Sequence, residues 1–416
     1  MNKNSKTLVV IGGGAAGFFC AVNAARLHAN LKVIIIEKNN KLLSKVKISG
    51  GGRCNVTHNC FDIVELSKKY PRGEQFLKKA FHWFNAKDTI QWFSERGVEL
   101  KTEADGRMFP VTNSSQTIID CLMQEANKYQ IEILLSCDVL AVETSNHLFQ
   151  ISLQNRTQQI EADFVCVACG GFPKLSQFDW LVNLGHTIQN PVPSLFTFNI
   201  PNNNITQLMG LSVEKATIKI VGTKLQSQGA LLITHWGLSG PAILKLSAFA
   251  ARELAERNYS FEILVNWLHQ FNEQSLKEEF LLLRQQLSSQ KIFSKNPFGL
   301  PNRLWEYLLN FSEVNENTRW ADLPAKQQNA IIKNLTAQSF LIKGKTTFKE
   351  EFVTCGGIAL NEVDVNTMQS KKIANVFFAG EVLDIDGITG GFNFQNAWTT
   401  GFIAAKSIAA KAAENL

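Results

Sequence analysis

The chain of 416 residues is short of most marks that point to a function. It has no run of five basic residues, only pairs such as Lys371–Lys372, and positive side chains exceed negative ones by only 42 − 36 = 6. So small an excess gives no reason to expect a nucleic-acid partner. The first six residues are polar, and the apolar run behind them is broken at Gly12, Gly13 and Gly14. Neither a signal peptide nor a membrane span is expected there, nor a membrane partner. Eight cysteines are scattered without the tight spacing of a secreted disulfide scaffold, which suggests reduced thiols and a cytoplasmic protein. There is no H-E-x-x-H, no G-x-S-x-G and no repeated Cys/His cluster, so hydrolase and metal-centre chemistry have no support and no metal ligands are expected. Internal repeats and low-complexity tracts are also missing. Tyrosine is scarce at four, but phenylalanine is abundant at 29, enough for a sizeable aromatic core.

What is present begins at TLVVIGGGAAG, residues 7–17, an apolar strand running straight into Gly12-x-Gly14-x-x-Gly17. An Ala-rich helix follows through Leu27, opening on Ala15 and Ala16, and then LKVIIIEK, a second strand that ends at Glu37 and Lys38. This is a complete βαβ unit with an acid 20 residues beyond its last glycine. The glycines permit a tight turn and close approach, the helix N-terminus faces a pyrophosphate, and the carboxylate holds ribose hydroxyls. Further along, helical spacing runs from about Val64 to Arg96, followed by a loop from Gly106 to Asn113 and another helix. IEILLS, DVLAVET (opening near Val139), FQISLQ and QQIEADFVCVA then read as short strands, the meander of an FAD domain. Cys166 and Cys169 spell C-x-x-C in ADFVCVACGG, an apolar run that reads as a buried strand, where positions i and i+3 point to opposite faces and the thiols are poorly placed to pair.

The character changes at about Pro191, where strand-like runs alternate with Pro and Asn, and Asn266 to Ile342 shows helical spacing. From Thr346 the Gly-rich strands return. We therefore expect an α/β protein with a three-layer Rossmann-like dinucleotide-binding domain over 1–190, completed by 346–416, and an inserted domain over 191–345, half strands and half helices. Two later segments favour FAD over NAD: VACGG, with Ala168 and Gly170 at a strand end, and FFAGE, with Gly380 and Glu381. Both match elements that flavoproteins use beside the nucleotide, and the chain has one G-x-G-x-x-G only.

SGGGRCNVT, GRMFPVTNS, THWGLSGPAIL, TCGGIAL and AGEVLDIDGITGGFNFQNAWTTG resemble the signature blocks of the BaiN/RdsA (YhiN-like) flavoprotein family, and they span the whole chain. The resemblance implies an FAD domain of the glutathione-reductase-related type, a β-barrel-like and helical insertion, and FAD-dependent oxidoreductase activity. Reduction of double bonds in 3-oxo steroid (bile acid) intermediates is attributed to one branch. The loop after VACGG, GGFPKLSQFDW, is shorter here than is usual in that family.

On this reading Ser49, Gly50, Gly51, Gly52, Arg53, Cys54 and Asn55 pass beside the flavin ring. Three glycines allow backbone contact, Arg53 serves the pyrophosphate or the reduced ring, and Cys54 is a small packed residue rather than half of a dithiol with Cys60. Gly390 and Gly391, followed by Phe392 and Asn393, open a helix whose N–H groups would stabilise negative charge on the reduced ring. His235, in THWGLSG, is the candidate general acid, with a purely hydrogen-bonding role as the alternative. Arg107 either binds an anionic substrate group or caps a loop. The inserted domain would cover the ring. The expected reaction is a two-electron transfer from transiently bound NAD(P)H through FAD to a small apolar acceptor, by a monomer or homodimer. A flavin-dependent tRNA-modifying enzyme and a non-catalytic redox sensor are the alternatives.

Overall fold

The structure, a computed structural model, describes residues 6–145, 148–154, 156–346 and 353–414; the first six residues of the stretch expected to resume the FAD domain lie largely outside them. The chain divides into two compact units, Met1–Ser194 with Lys349–Leu416, and Leu195–Phe348. Each has its own hydrophobic core.

In chain order the first unit contributes strands β1 (Thr7–Ile11), β2 (Lys32–Ile36), β3 (Thr57–His58), β4 (Leu100–Thr102), β5 (Arg107–Pro110), β6 (Glu132–Leu134), β7 (Val139–Ser145), β8 (Leu148–Leu153), β9 (Ile160–Ala162), β10 (Phe164–Val167) and β11 (Ile188–Ser194). After the second unit come β19 (Val353–Ile358) and β20 (Val376–Phe378). The continuous apolar runs TLVVI, KVIII and FVCV are buried almost throughout, as strands covered on both faces must be. They form a parallel five-stranded sheet in the order β20-β10-β1-β2-β6. IEILLS thus supplies a sheet strand, while β7, β8 and β9 make a separate antiparallel meander. β3, β5 and β4 form a third, antiparallel sheet, and β11 pairs with β19.

Helix α1 (Ala15–Leu27) is buried along most of its length and packs on the last helix, Phe392–Ala413. Gly401 makes this approach possible, since a β-carbon there would sit 2.8 Å from the Ala16 carbonyl oxygen. Phe19 of α1 lies against Phe84, Trp92 and Trp398, with ring centroids 4.6–5.5 Å apart.

The second unit holds a seven-stranded antiparallel sheet made of β12 (Thr197–Asn199), β13 (Ser212–Ile220), β14 (Gln226–Ile233), β15 (Gly237–Ser239), β16 (Ser260–Asn266), β17 (Gln338–Lys343) and β18 (Lys345–Thr346). Its order is β17-β16-β13-β14-β15-β12-β18, and among the described residues no strand pairing joins its two ends. Helices Glu273–Gln286, Asn302–Phe311 and Ala325–Ala337 account for the helical spacing after Asn266. That spacing stops earlier than expected. Gln338–Lys343 alternates buried and exposed residues, the period of a half-buried strand, and pairs with β16. Among the described residues no helix is long and apolar enough to cross a membrane.

Candidate functional site

The glycines after β1 do three different jobs. Gly12 has φ +117°, and a β-carbon on it would lie 2.4 Å from the Ala168 carbonyl oxygen at the end of β10. A β-carbon on Gly17 would lie 1.9 Å from the Gly12 carbonyl oxygen, so this residue lets the helix close on the turn. Gly14 differs from both, because a β-carbon there meets nothing within 4 Å. It is the N-cap of α1 and provides no side-chain cap. The first-turn N–H groups, beginning at half-buried Ala15, have no partners within the helix, and the positive end of its dipole lies with them. Ala16 is buried behind the opening, against Gly380, whose β-carbon would come 2.7 Å from that of Ala16.

At the end of β2 the Glu37 carboxylate is fixed from both sides. It accepts the Gly13 N–H at 2.8 Å and two bonds from Asn39, backbone at 2.9 Å and side chain at 2.8 Å. The backbone of Glu37 and Asn39 in turn accepts N–H bonds from Cys137 and Ser136, both at 3.0 Å, which brings the start of β7 and buried Val139 alongside. The Lys38 ammonium lies over the Phe172 ring at 4.9 Å. Beyond β10, Gly170 takes φ +79° with open space at its β-carbon position. The C-x-x-C thiols diverge. A hydrogen bond with Cys20 of α1 and burial raise the Cys166 thiol, and burial pushes the Cys169 thiol up to about 12.

SGGGRCN ends helix α2 (Ser44–Gly52) in a run of left-handed backbone, with φ +59°, +68° and +82° at Gly50, Gly51 and Gly52. Ser49 accepts the Cys54 N–H at 3.0 Å and closes the turn. A β-carbon on Gly50 would touch Phe109 at 2.9 Å, whereas Gly51 and Gly52 are exposed and meet nothing. The Arg53 guanidinium sits 4.0 Å over the Phe109 ring, donates to the Gly50 carbonyl at 3.3 Å and pairs with Glu103 at 2.5 Å. It holds the turn to the GRMFP strand. Arg107 pairs with Asp105 at 2.6 Å and Glu103 at 3.3 Å, so in this structure it braces its own loop. Cys54 is fully buried at φ +59° and burial pushes its thiol up to about 12; Cys60 is raised by burial too. The eight cysteines form no disulfide, and neither of these two is poised as a nucleophile.

The second glycine turn meets this one directly. A β-carbon on Gly391, at φ +90°, would lie 2.6 Å from the Thr57 carbonyl oxygen and 2.8 Å from Asn55. The Asn55 amide, oriented by its surroundings, accepts the Gly391 N–H at 2.9 Å and donates to the carbonyls of Thr57 at 3.0 Å and Met108 at 3.3 Å. Gln395 accepts from Thr57 at 2.6 Å and Thr89 at 2.9 Å, and Trp398 donates to Val56 at 2.9 Å. His58 stacks on Phe392 with centroids 4.8 Å apart, between Gly106 and Gly390, and its pKa is lowered by burial. Tyr70 donates to the Phe392 carbonyl at 2.7 Å, and Asn393 exchanges two bonds with the Gly387 peptide, at 2.8 and 3.0 Å. Glu381 pairs with Lys45 of α2 at 2.6 Å and accepts the Thr354 N–H at 2.9 Å.

Sequence reasoning does not reach several of these residues. Asp386, wholly buried, is gripped by Arg72 in a bidentate pair and by Ser194 at 2.6 Å; burial raises its pKa and Arg72 opposes this. Ser370, His186 and Glu362 line up as a nucleophile triad would, at 3.2 and 3.1 Å. Ser370 is buried, however, and its hydroxyl oxygen accepts the N–H groups of Lys372 and Ile373, both at 3.0 Å, so the chain of bonds is a brace. Single residues separated by more than 100 positions carry no periodic signal. His235 belongs to the second unit, exposed in the turn between β14 and β15, its ring edge-on to Trp236 at 4.2 Å.

An uncapped helix start with open space at Gly14, a fixed carboxylate at the end of β2 and two abutting glycine turns would suit a bound dinucleotide. These features define a Rossmann-type flavoenzyme fold, and solved structures share it. The open form of a flavocytochrome c3 fumarate reductase superposes with a TM-score of 0.50 at 15% identity, over 99% of this chain and 79% of that one. The 3-ketosteroid-delta4-(5alpha)-dehydrogenase from Rhodococcus jostii RHA1 superposes with 0.51 at 12%, over 98% of both. The family model described as HI0933-like protein Rossmann domain matches residues 6–407, and the chain belongs to this family of flavoprotein oxidoreductases. Among its relatives, a ribosomal RNA dihydrouridine synthase of Escherichia coli is 30% identical over 97% of this chain and 98% of its own. A 3-dehydro-bile acid delta(4,6)-reductase of Clostridium scindens is 26% identical over 96% and 98%.

Proposed function

We propose that this protein is an FAD-dependent reductase of a carbon–carbon double bond conjugated to a carbonyl, with NAD(P)H as the donor and a uracil ring within RNA as the acceptor. The observation that carries this reading is end-to-end similarity to two relatives whose named reactions share one bond chemistry. Dihydrouridine is uridine with its ring double bond saturated, and a delta(4,6)-reductase saturates ring double bonds beside an oxo group. The relative at 30% identity puts RNA first. The bile-acid reductase, aligned over nearly as much of the chain, keeps a small steroid-like acceptor as the second reading.

Bound FAD supplies two-electron transfer to the double bond. The residues of this chain bind it and steer charge. Gly14 leaves room for the pyrophosphate at the start of α1, whose N–H groups and dipole attract it. Glu37, already held by Gly13 and Asn39, keeps a carboxylate directed to ribose hydroxyls. Gly51 and Gly52 present bare backbone, and the first-turn N–H groups of the last helix stabilise negative charge.

The test has two stages. Denatured protein should release FAD. Reduced protein should then convert uridine to dihydrouridine in unmodified ribosomal RNA, read by mass spectrometry of the digested nucleosides, while a 3-oxo-4,6-diene steroid stays unreacted. Steroid reduction without RNA reduction selects the second reading. Turnover of neither rejects the proposal.

A further inference from the structure

We infer that Asn55 is a positioning residue of the flavin site, which sets where the last helix begins instead of touching the cofactor itself. This rests on the FAD reading above. The side chain is nearly buried, and both of its N–H donors and one lone pair of its oxygen are engaged within the protein. Its oxygen takes the Gly391 N–H at 2.9 Å, and its nitrogen reaches the carbonyls of Thr57 at 3.0 Å and Met108 at 3.3 Å. Those three partners lie on three separate segments, the glycine turn, β3 and β5.

The consequence follows from the geometry of a helix start. The last helix has Gly391 as N-cap with no side-chain cap, so its first-turn N–H groups lack partners inside the helix. Asn55 occupies the donor just ahead of them and leaves the others to a ligand. The turn cannot drift without breaking that bond, because Gly391 is pressed against Thr57, where a β-carbon would be 2.6 Å from the carbonyl oxygen. Donors fixed before reaction stabilise developing negative charge without reorganisation, so a fixed turn favours the reduced cofactor over the oxidised one.

The experiment uses full-length protein carrying FAD and measures three quantities in wild type, Asn55→Ala and Trp398→Phe: thermal stability, FAD dissociation constant and midpoint potential. Trp398→Phe removes the 2.9 Å bond to the Val56 carbonyl and serves as a control for lost stability in the same helix. Asn55→Ala should weaken FAD binding tenfold or more and move the potential negative by about 30 mV, a tenfold loss of preference for the reduced form in a two-electron couple. Trp398→Phe should lower stability and leave the potential in place. If Asn55→Ala does not fold, Asn55→Ser is read the same way. Loss of stability in the Asn55 variant with unchanged potential overturns the inference. Wild-type protein that binds no FAD overturns the flavin reading itself, a separate failure.

Discussion

Two helix starts in the first unit, both opened by glycine and both without a side-chain cap, reach that state by different routes. At α1 the closure of the helix on its turn is built within a handful of residues. Gly17 meets the carbonyl of Gly12, and Gly14 keeps an ordinary extended conformation at φ −94° with free space beside it. At the last helix the turn is held from far away. Gly391 is forced to φ +90° and is crowded by Thr57 and Asn55, more than 330 positions earlier in the chain. A glycine motif of fixed spacing is a local object and can be recognised alone, whereas a glycine held by distant segments acquires meaning only when the fold is known.

Alanine substitutions separate these roles, and they rank clearly. Gly17→Ala should cost most, at least about 3 kcal/mol or failure to fold, because its β-carbon would stand 1.9 Å from backbone oxygen; chemical denaturation measures it. Gly391→Ala combines a 2.6 Å backbone clash with left-handed strain and should lose roughly 2–3 kcal/mol along with most FAD binding. Equal stability with intact flavin would mean that the turn is not part of the site. Gly51→Ala meets no neighbour but keeps φ +68°, so only the strain of about 1–2 kcal/mol should appear in apoprotein melting. Gly14→Ala should change apoprotein stability by less than about 1 kcal/mol, because alanine is a poorer N-cap than glycine but loses less chain entropy on folding. Its FAD affinity should nevertheless fall tenfold or more, because the methyl fills the space left for pyrophosphate. An unaltered affinity would place the cofactor elsewhere.

The first βαβ unit was legible in the sequence because the interactions that define it, Gly17 on Gly12, Gly13 on Glu37 and β1 on β2, each span fewer than 30 residues. Hydrophobic runs buried on both faces, a glycine spacing and an acid at a strand end are all local. The end of the helical stretch was misplaced, since LTAQSFLIKG passes from helix to strand without a glycine or proline between Leu335 and Lys343, and β17 is defined by its pairing with β16. Arg53 is the instructive case at the site. Its charge suggests a phosphate ligand, yet Glu103, 50 residues away, and the Phe109 ring engage it. Nothing near Arg53 in the chain announces either partner. The charge balance likewise bears on broad electrostatic contact with nucleic acid, and it is silent on an enzyme that reads one base.

The parallel sheet carries a consequence for how this molecule comes to exist. Its edge strand β20 and the helix packed on α1 are encoded more than 350 residues after β1, and the whole of Leu195–Phe348 intervenes. On a translating ribosome the nucleotide-binding half must therefore wait, its first strands and α1 made but one flank of the sheet and the covering helix still to come. The intervening unit, continuous in sequence, emerges entire before them. At about 5–20 residues per second the interval lasts many seconds, long enough for exposed apolar strands to seek other partners. The unit begun before the intervening one is thus finished only after it, and its quality depends on synthesis running through the helix that covers α1.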